Sequence, residues 1–283
     1  MSTSRLITSA PNQWCPGCGN FGILNTVRSV LEELISEGLP LENVVVVSGI
    51  GQHAKMADYL NVNSFYSIHG RTFPAATAIK LSEPDMRVIC FAGDGDAYAE
   101  GLDHLIFAAK RNIDITAIIH DNRVYGLTTG QYTPTSPFGY KGKSTPAGSR
   151  EYPFNPLEIA LASGATFVAR GYPPRAEHFQ GLVKDAIRHK GFSMVEVLQV
   201  CVSYNNLYDF YEEHVHEVKV THSSSYEEAA QAIRIWDYNS GGPIPIGKFY
   251  QVERPGFEEF STLDNLQTVD REAKLQETLA RLI

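Results

Sequence analysis

The chain has 283 residues, 43% hydrophobic and 20% charged, with a formal net charge of −8 at pH 7. A chain of this length buries enough apolar surface to need no disulfide staples, and its composition is that of an ordinary globular protein. The acidic balance and the absence of a long basic run exclude a nucleic-acid groove or an anionic membrane surface as the main partner.

No stretch approaches the roughly 18 consecutive apolar residues of a membrane span. The opening MSTSRLITSAPNQ has no basic region followed by an apolar core, so no signal peptide is expected. These features predict a soluble, cytoplasmic protein, in which four cysteines serve as ligands, catalytic thiols or core residues rather than disulfides.

The first informative stretch is QWCPGCGN, residues 13–20, which reads as a redox pair, half of a metal site, or a tight turn containing sulfur. A thioredoxin-like redox pair expects a strand before the tryptophan, and none precedes Trp14. Residues 21–38 place Ile23, Leu24, Val27, Val30, Leu31, Leu34 and Ile35 at helical spacing, with Gly38 as a stop. NVVVVSGIG then reads as a buried strand entering a glycine turn, HGRTFPAATAIKLS as the opening of a helix, and MRVICFAGDGD as a second strand and turn. AEGLDHLIFAAKRN follows as a helix and DITAIIHDN as a third strand. From Arg123 to Pro156 the chain is rich in Gly, Pro, Ser, Thr and Tyr without sustained period, and a loop of that length in a compact domain is usually functional. Two more helix and strand pairs end at SMVEVLQVC. The more polar, aromatic region after 205 closes on REAKLQETLARLI, read as a terminal helix. The predicted fold is α/β: an open, mostly parallel sheet with helices on both faces over residues 1–253, followed by an irregular and helical C-terminal segment over 254–283.

The segment CFAGDGDAYAEGLDHLIFAAKRNIDITAIIHDNRVYGL sets Gly93, Asp94 and Gly95 at the end of one strand and Asp121 and Asn122 at the end of the next. Those ends face the crevice where open α/β sheets bind ligands. Small residues let the backbone approach a diphosphate, and a helix starting near Tyr98 aims free N–H groups at the same place. The Asp94 carboxylate, the Asn122 amide oxygen and a main-chain carbonyl just past it are the hard oxygen donors that Mg2+ takes when it also holds phosphate. The CxxC turn plus a distant cysteine can in turn bind a 4Fe–4S cluster. Cys201, at the end of an apolar strand placed at a sheet edge, is the candidate, whereas Cys90 within RVICFAG reads as core.

GDG followed about thirty residues later by an asparagine resembles the motif of thiamine diphosphate enzymes. The longer run through TTGQYTPTSP, with WCPGCGN, VVSGIG, IHGRTFPAATAIKL, KSTP and IPIGKFYQ in the same order, resembles the β subunit of two-subunit 2-oxoacid:ferredoxin oxidoreductases over roughly residues 10–252. The resemblance implies that Asp94, Asn122 and the Val124 carbonyl hold the metal, and that Gly93, Gly95 and Asp96 line the diphosphate. Gly51, Gly126 and Leu127 complete the cofactor contacts. His69 and Arg71 would lie at the cofactor edge and stabilise the 2-oxoacid carboxylate, or His69 would only cap a helix. Lys141, Lys143 and Gln131 are further candidates to meet the acid, and Glu100 reads as structural.

In related β subunits four cysteines hold the cluster: two in CPGC, one after the SGIG turn and one late in the chain. Here Gln52 stands where the third is expected. That departure leaves three outcomes: His53 or another side chain completes the set, a three-iron or labile cluster forms, or Cys15, Cys18 and Cys201 hold none. The favoured reading is a 4Fe–4S cluster on those cysteines with His53 as fourth ligand. The resemblance further implies a separate α chain, the cofactor lying between the two, an (αβ)2 assembly, ferredoxin as acceptor, and conversion of a 2-oxoacid (2-oxoglutarate or pyruvate) with coenzyme A to acyl-CoA and CO2. A cluster-free thiamine diphosphate decarboxylase or synthase, and a catalytically silent partner subunit, are the alternatives.

Overall fold

The computed structural model describes residues 6–260 and 270–281. Its strands are β1 (Val44–Ser48), β2 (Asn63–Tyr66), β3 (Arg87–Gly93), β4 (Ile115–Asp121), β5 (Val124–Tyr125), β6 (Gln131–Tyr132), β7 (Phe167–Gly171), β8 (Ser193–Leu198), β9 (Val215–Glu217) and β10 (Ile244–Gln251). Eight of them form one sheet in the order β2-β1-β3-β4-β8-β7-β10-β9, and β5 and β6 pair separately. From β2 to β7 the pairing is parallel throughout; β10 runs antiparallel to β7 and parallel to β9.

The helices are α1 (Asn20–Ser36), α2 (Met56–Tyr59), α3 (Thr72–Ser82), α4 (Leu102–Arg111), α5 (Pro156–Ala162), α6 (Ala176–Arg188), α7 (Tyr208–His214), α8 (Tyr226–Ile233) and α9 (Arg271–Ala280). Side-chain alternation along the strands divides the core. Val45 and Val47 of β1, with Val88, Cys90 and Ala92 of β3, pack against α3, α4, α5 and α8. Val44, Val46, Ile89 and Phe91 point the other way, against α1 and α6. Both faces are covered, which is why these strands read as continuous apolar runs. Among the described residues no helix is long and apolar enough to cross a membrane.

The structure departs from expectation in three places. The crossover helix does not begin at Tyr98: residues Asp96–Glu100 form a π turn and α4 starts at Leu102, a local widening that is frequent at functional sites. Cys201 does not stand at a sheet edge, because β8 is flanked by β4 and β7 and the cysteine lies three residues beyond its carboxyl end. Finally, IPIGKFYQ is a strand that closes back onto the sheet. Pro245 and Gly247 disguise it, since both weaken a strand reading. Gly247 has φ of +147° and an added Cβ would sit 2.6 Å from the Val218 carbonyl oxygen, so glycine is required there.

A buried ion pair pins β10 in place. Arg170 of β7 donates through Nε to Glu196 Oε2 of β8 (2.7 Å), through Nη1 to the Pro245 carbonyl (3.0 Å) and through Nη2 to the Tyr238 hydroxyl (2.8 Å). Tyr238 donates in turn to Glu196. Both charged side chains are fully buried, so neither can be left alone without a large desolvation cost. Arg170→Met is expected to cost about 3–5 kcal/mol, read as a lowered midpoint in denaturant unfolding, and Arg170→Met with Glu196→Leu to recover much of it.

Candidate functional site

Chain order reverses across the sheet at β1: the path runs outward to β2 and returns on the other side as β3. Ligand crevices of open α/β sheets lie at such reversals. The carboxyl ends of β1, β3 and β4 deliver Gly51, Gly93, Asp94, Gly95, Asp96, Asn122 and Val124 to one crevice of about 50 Å3, joined by His69, Gly126 and Leu127. Exposed Ile50, Phe65, Tyr66, Ile68 and Leu127 give the sheet end around it an apolar rim.

Asp94 and Asp121 are both buried. Thr133 Oγ1 donates to Asp94 Oδ2 at 2.5 Å, while Thr135 Oγ1 lies 3.0 Å from that oxygen and 2.8 Å from Asp121 Oδ1. One hydroxyl carries one proton, so it cannot satisfy both carboxylates. Burial raises both acids above the usual carboxylate range, and the neighbouring Asp94 charge raises Asp121 further. Asp121 Oδ2 is buried without a hydrogen-bond partner among the described residues. The pair therefore keeps a proton or takes a cation in its place. Arg123, between Asn122 and Val124, adopts φ of +63°, a strained conformation for its type. Its guanidinium holds the turn by donating to the Thr135 carbonyl at 2.8 Å and to the Tyr238 carbonyl.

Asp96 is caught between two histidines. Its Oδ2 lies 3.3 Å from His53 Nε2 and its Oδ1 lies 3.5 Å from His69 Nδ1 and accepts from the Gly70 N–H at 2.6 Å. Burial alone would raise this carboxyl, but the His53 and His69 rings beside it and the Gly70 N–H hold it well below the usual range, and the Asp96 carboxylate in turn raises His69. A Cβ on Gly49 would stand 1.7 Å from Asp96 Oδ2, so glycine in the SGIG turn makes room for this carboxylate.

Cys15, Cys18 and Cys201 meet at a second cavity of about 180 Å3, which shares Gln52, Asn122, Gly126 and Leu127 with the crevice. The CPGC turn is closed by Cys18 N–H donating to the Cys15 carbonyl at 3.0 Å, and the Gly19 N–H docks it on the Val200 carbonyl beyond β8. Gln199 joins the two cavities: its Oε1 accepts from Asn122 Nδ2 at 2.8 Å and its Nε2 stands 3.6 Å from Cys18 Sγ. Burial pushes the Cys18 thiol up to about 11, and Cys201 and Cys15 add to the shift. No three His, Cys, Asp or Glu side chains among the described residues converge on a single metal ion. Iron–sulfur clusters are held by cysteine thiolates, and these three line one cavity. Cys90 is core, fully buried in β3.

Other expected residues take different places, His53 and His69 at the crevice and the rest outside both cavities. His53 does not line the thiol cavity; its ring faces Asp96 and lies over the glycines, 3.0 Å from where a Gly93 Cβ would be. In this structure His53 lines the crevice and not the thiol cavity. Arg71 is exposed and N-caps α3 with its backbone, and His69 lies against the Asp96 carboxylate instead of capping. Lys141 and Lys143 are exposed outside both cavities, and Gln131 accepts from Thr128 Oγ1 at 2.6 Å. Glu100 accepts from the Tyr125 hydroxyl at 3.0 Å, a structural role. Thr133, Thr135 and Gln199 escaped the sequence reading; the hydroxyl cluster in YTPTSP, inside a loop too long to be idle, was their available signal.

Residues 49–197 match the family model described as thiamine pyrophosphate enzyme, C-terminal TPP binding domain, and residues 201–263 match that of the C-terminal part of the pyruvate ferredoxin oxidoreductase beta chain. A 2-oxoacid:ferredoxin oxidoreductase subunit beta from Sulfolobus sp is 42% identical over 261 residues, covering 88% of this chain and 85% of that one. The chain belongs to this β-subunit family. The 2-oxoglutarate oxidoreductase subunit KorB of Mycobacterium tuberculosis is 46% identical over 194 residues, 69% of this chain and 51% of that one. A solved 2-oxoglutarate:ferredoxin oxidoreductase from Magnetococcus marinus, with 2-oxoglutarate, coenzyme A and succinyl-CoA bound, superposes with a TM-score of 0.86 at 31% identity, covering 97% of this chain and 96% of that one. The β subunit thus carries a thiamine diphosphate-binding domain and works with an α chain. Displacing Asp96 in it, by Gly49→Ala or Asp96→Asn, is expected to lower the His69 pKa toward its ordinary value near 6.5, followed by NMR titration of the imidazole.

Proposed function

We propose that this β subunit, joined to its α chain, oxidatively decarboxylates a 2-oxoacid with coenzyme A to acyl-CoA and CO2, passing two electrons singly through a 4Fe–4S cluster to ferredoxin in the cytoplasm. The substrates named for its relatives favour 2-oxoglutarate. The observation that carries the reading is the wall shared by the two cavities, formed by Gln52, Asn122, Gly126 and Leu127, which sets the diphosphate crevice directly beside the thiols.

The residues fit the groups. Asp94 and Asp121, buried with one hydroxyl between them, lack the positive charge that Mg2+ supplies, and Asp94, Asn122 and the Val124 carbonyl are its ligands in this reading. Thr133 and Thr135 fix one Asp94 oxygen and leave the other to the metal. Gly93, Gly95 and Asp96 line the diphosphate. Thiamine diphosphate, when bound, supplies the carbon that adds to the 2-oxoacid and the electron sink for its decarboxylation. His69, kept more cationic by Asp96 at the crevice mouth, attracts the substrate carboxylate. A crevice of about 50 Å3 admits only the tip of such a cofactor, and the apolar rim offers the surface on which the α chain covers the rest, in an (αβ)2 assembly.

Purified anaerobically, the αβ complex is expected to reduce a viologen dye only when both 2-oxoacid and coenzyme A are present. Absence of reduction with 2-oxoglutarate and with pyruvate would count against the reading. Asp94→Asn should lower the rate by about 100-fold or more, as loss of a metal contact does. A second outcome follows from the raised carboxyls. A group raised in the fold favours the protonated protein, so cofactor-free stability falls as pH rises through that pKa. Because Mg2+ replaces the proton, the thermal stabilisation given by Mg2+ and thiamine diphosphate should be larger near about pH 8 than near about pH 5.5.

A further inference from the structure

Three thiols converge on the second cavity, and nothing of equal donor strength completes the set. Among the described residues no histidine, carboxylate or fourth cysteine lines it. Its polar wall is otherwise made of amides and hydroxyls, most of them committed. Asn20 Oδ1 meets His120 Nδ1 at 2.8 Å, Asn122 is held by the Val124 N–H and by Gln199, and Ser203 donates to Cys15 Sγ at 3.3 Å. Gln52 differs. Its main-chain carbonyl accepts from Trp14 Nε1 at 2.8 Å, while its half-buried side chain makes no hydrogen bond among the described residues. It stands on the wall between the thiols and the crevice. A neutral carboxamide is a poor partner for an iron that otherwise sees sulfide, since soft thiolates are the donors such clusters select.

Resting on the cluster reading above, we propose that this chain anchors its 4Fe–4S cluster through Cys15, Cys18 and Cys201 alone. The fourth iron lies on the Gln52 side with an exchangeable, solvent-derived ligand. The chemistry that fits there is a small anionic donor, hydroxide or an alkyl thiolate, and the Gln52 amide is free to hydrogen-bond to it. Three protein thiolates instead of four leave one corner of the cluster tied to the protein only through its own sulfides.

That corner is the one lost on oxidation. Ferricyanide takes one electron from the four-iron core and becomes ferrocyanide; the unanchored iron departs as Fe2+ with two of the core's positive charges, and a 3Fe–4S core stays on the three thiolates. The test uses anaerobically reconstituted αβ complex, followed by iron and sulfide analysis and EPR. Wild type, His53→Ala and Gln52→Ala are each expected to lose one iron in four with sulfide unchanged and to develop the signal of an oxidised three-iron cluster. Ferrous ion with a reductant should reverse the loss. Gln52→Cys is expected to keep all four irons through the same treatment. Added 2-mercaptoethanol should shift the reduced-cluster EPR spectrum of wild type and leave that of Gln52→Cys unchanged. A wild type that resists ferricyanide as Gln52→Cys does, or one in which only His53→Ala exposes the loss, would overturn the open corner while leaving the cluster reading intact. Complex that binds no iron in any variant would overturn both.

Discussion

Asp94 and Asp121 end adjacent strands of the sheet, and the single Thr135 hydroxyl between them cannot compensate both. Bringing two carboxyl groups out of water this close together is costly unless one is neutral or a cation sits against them. Much of the surrounding architecture answers that constraint. The long loop comes back to lay Thr133 and Thr135 on the acids, Arg123 accepts a strained backbone to hold the turn, and Tyr238 receives the Arg123 guanidinium at its carbonyl. Tyr238 is also the hydroxyl that bridges Arg170 and Glu196, so the binding turn and the fastening of β10 share a residue.

The same economy governs the neighbouring glycines. Gly49 is small because Asp96 occupies the space a side chain would take, and Gly95 because the Tyr125 ring lies 2.3 Å from its would-be Cβ. Glycines here make room for protein side chains as well as for a ligand. Asp96 then fixes His53 and His69 at opposite oxygens, orienting one ring inward and the other toward the mouth.

Strands β1, β3 and β4 and helix α1 were legible because their apolar residues recur with a clear period and glycine turns punctuate them. β2 was not, since its Asn63–Tyr66 run is an exposed edge with no buried face to leave a pattern, and β10 was hidden by Pro245 and Gly247. The crevice could be read from GDG and DN because strand ends are fixed by the sheet, whatever the loops do. The threonines on Asp94 could not, as their positions depend on a loop without period. His53 follows the same rule: sequence gives adjacency to Gln52, but the direction of a ring is set by its partner, here Asp96. Conversely, the departure at Gln52 was visible at once, while the lack of a hydrogen-bond partner for its side chain among the described residues emerges only in the fold.

Gln199 has one end on Asn122 and the other beside Cys18. A primary amide is rigid and planar, so tilting it at the sulfur end displaces it at the oxygen end as well. Thermodynamic reciprocity makes any such influence mutual: whatever a ligand in the thiol cavity does to affinity in the crevice, a ligand in the crevice does equally in return. The crevice and the thiol cavity are in that sense joined through one amide as well as through their common wall.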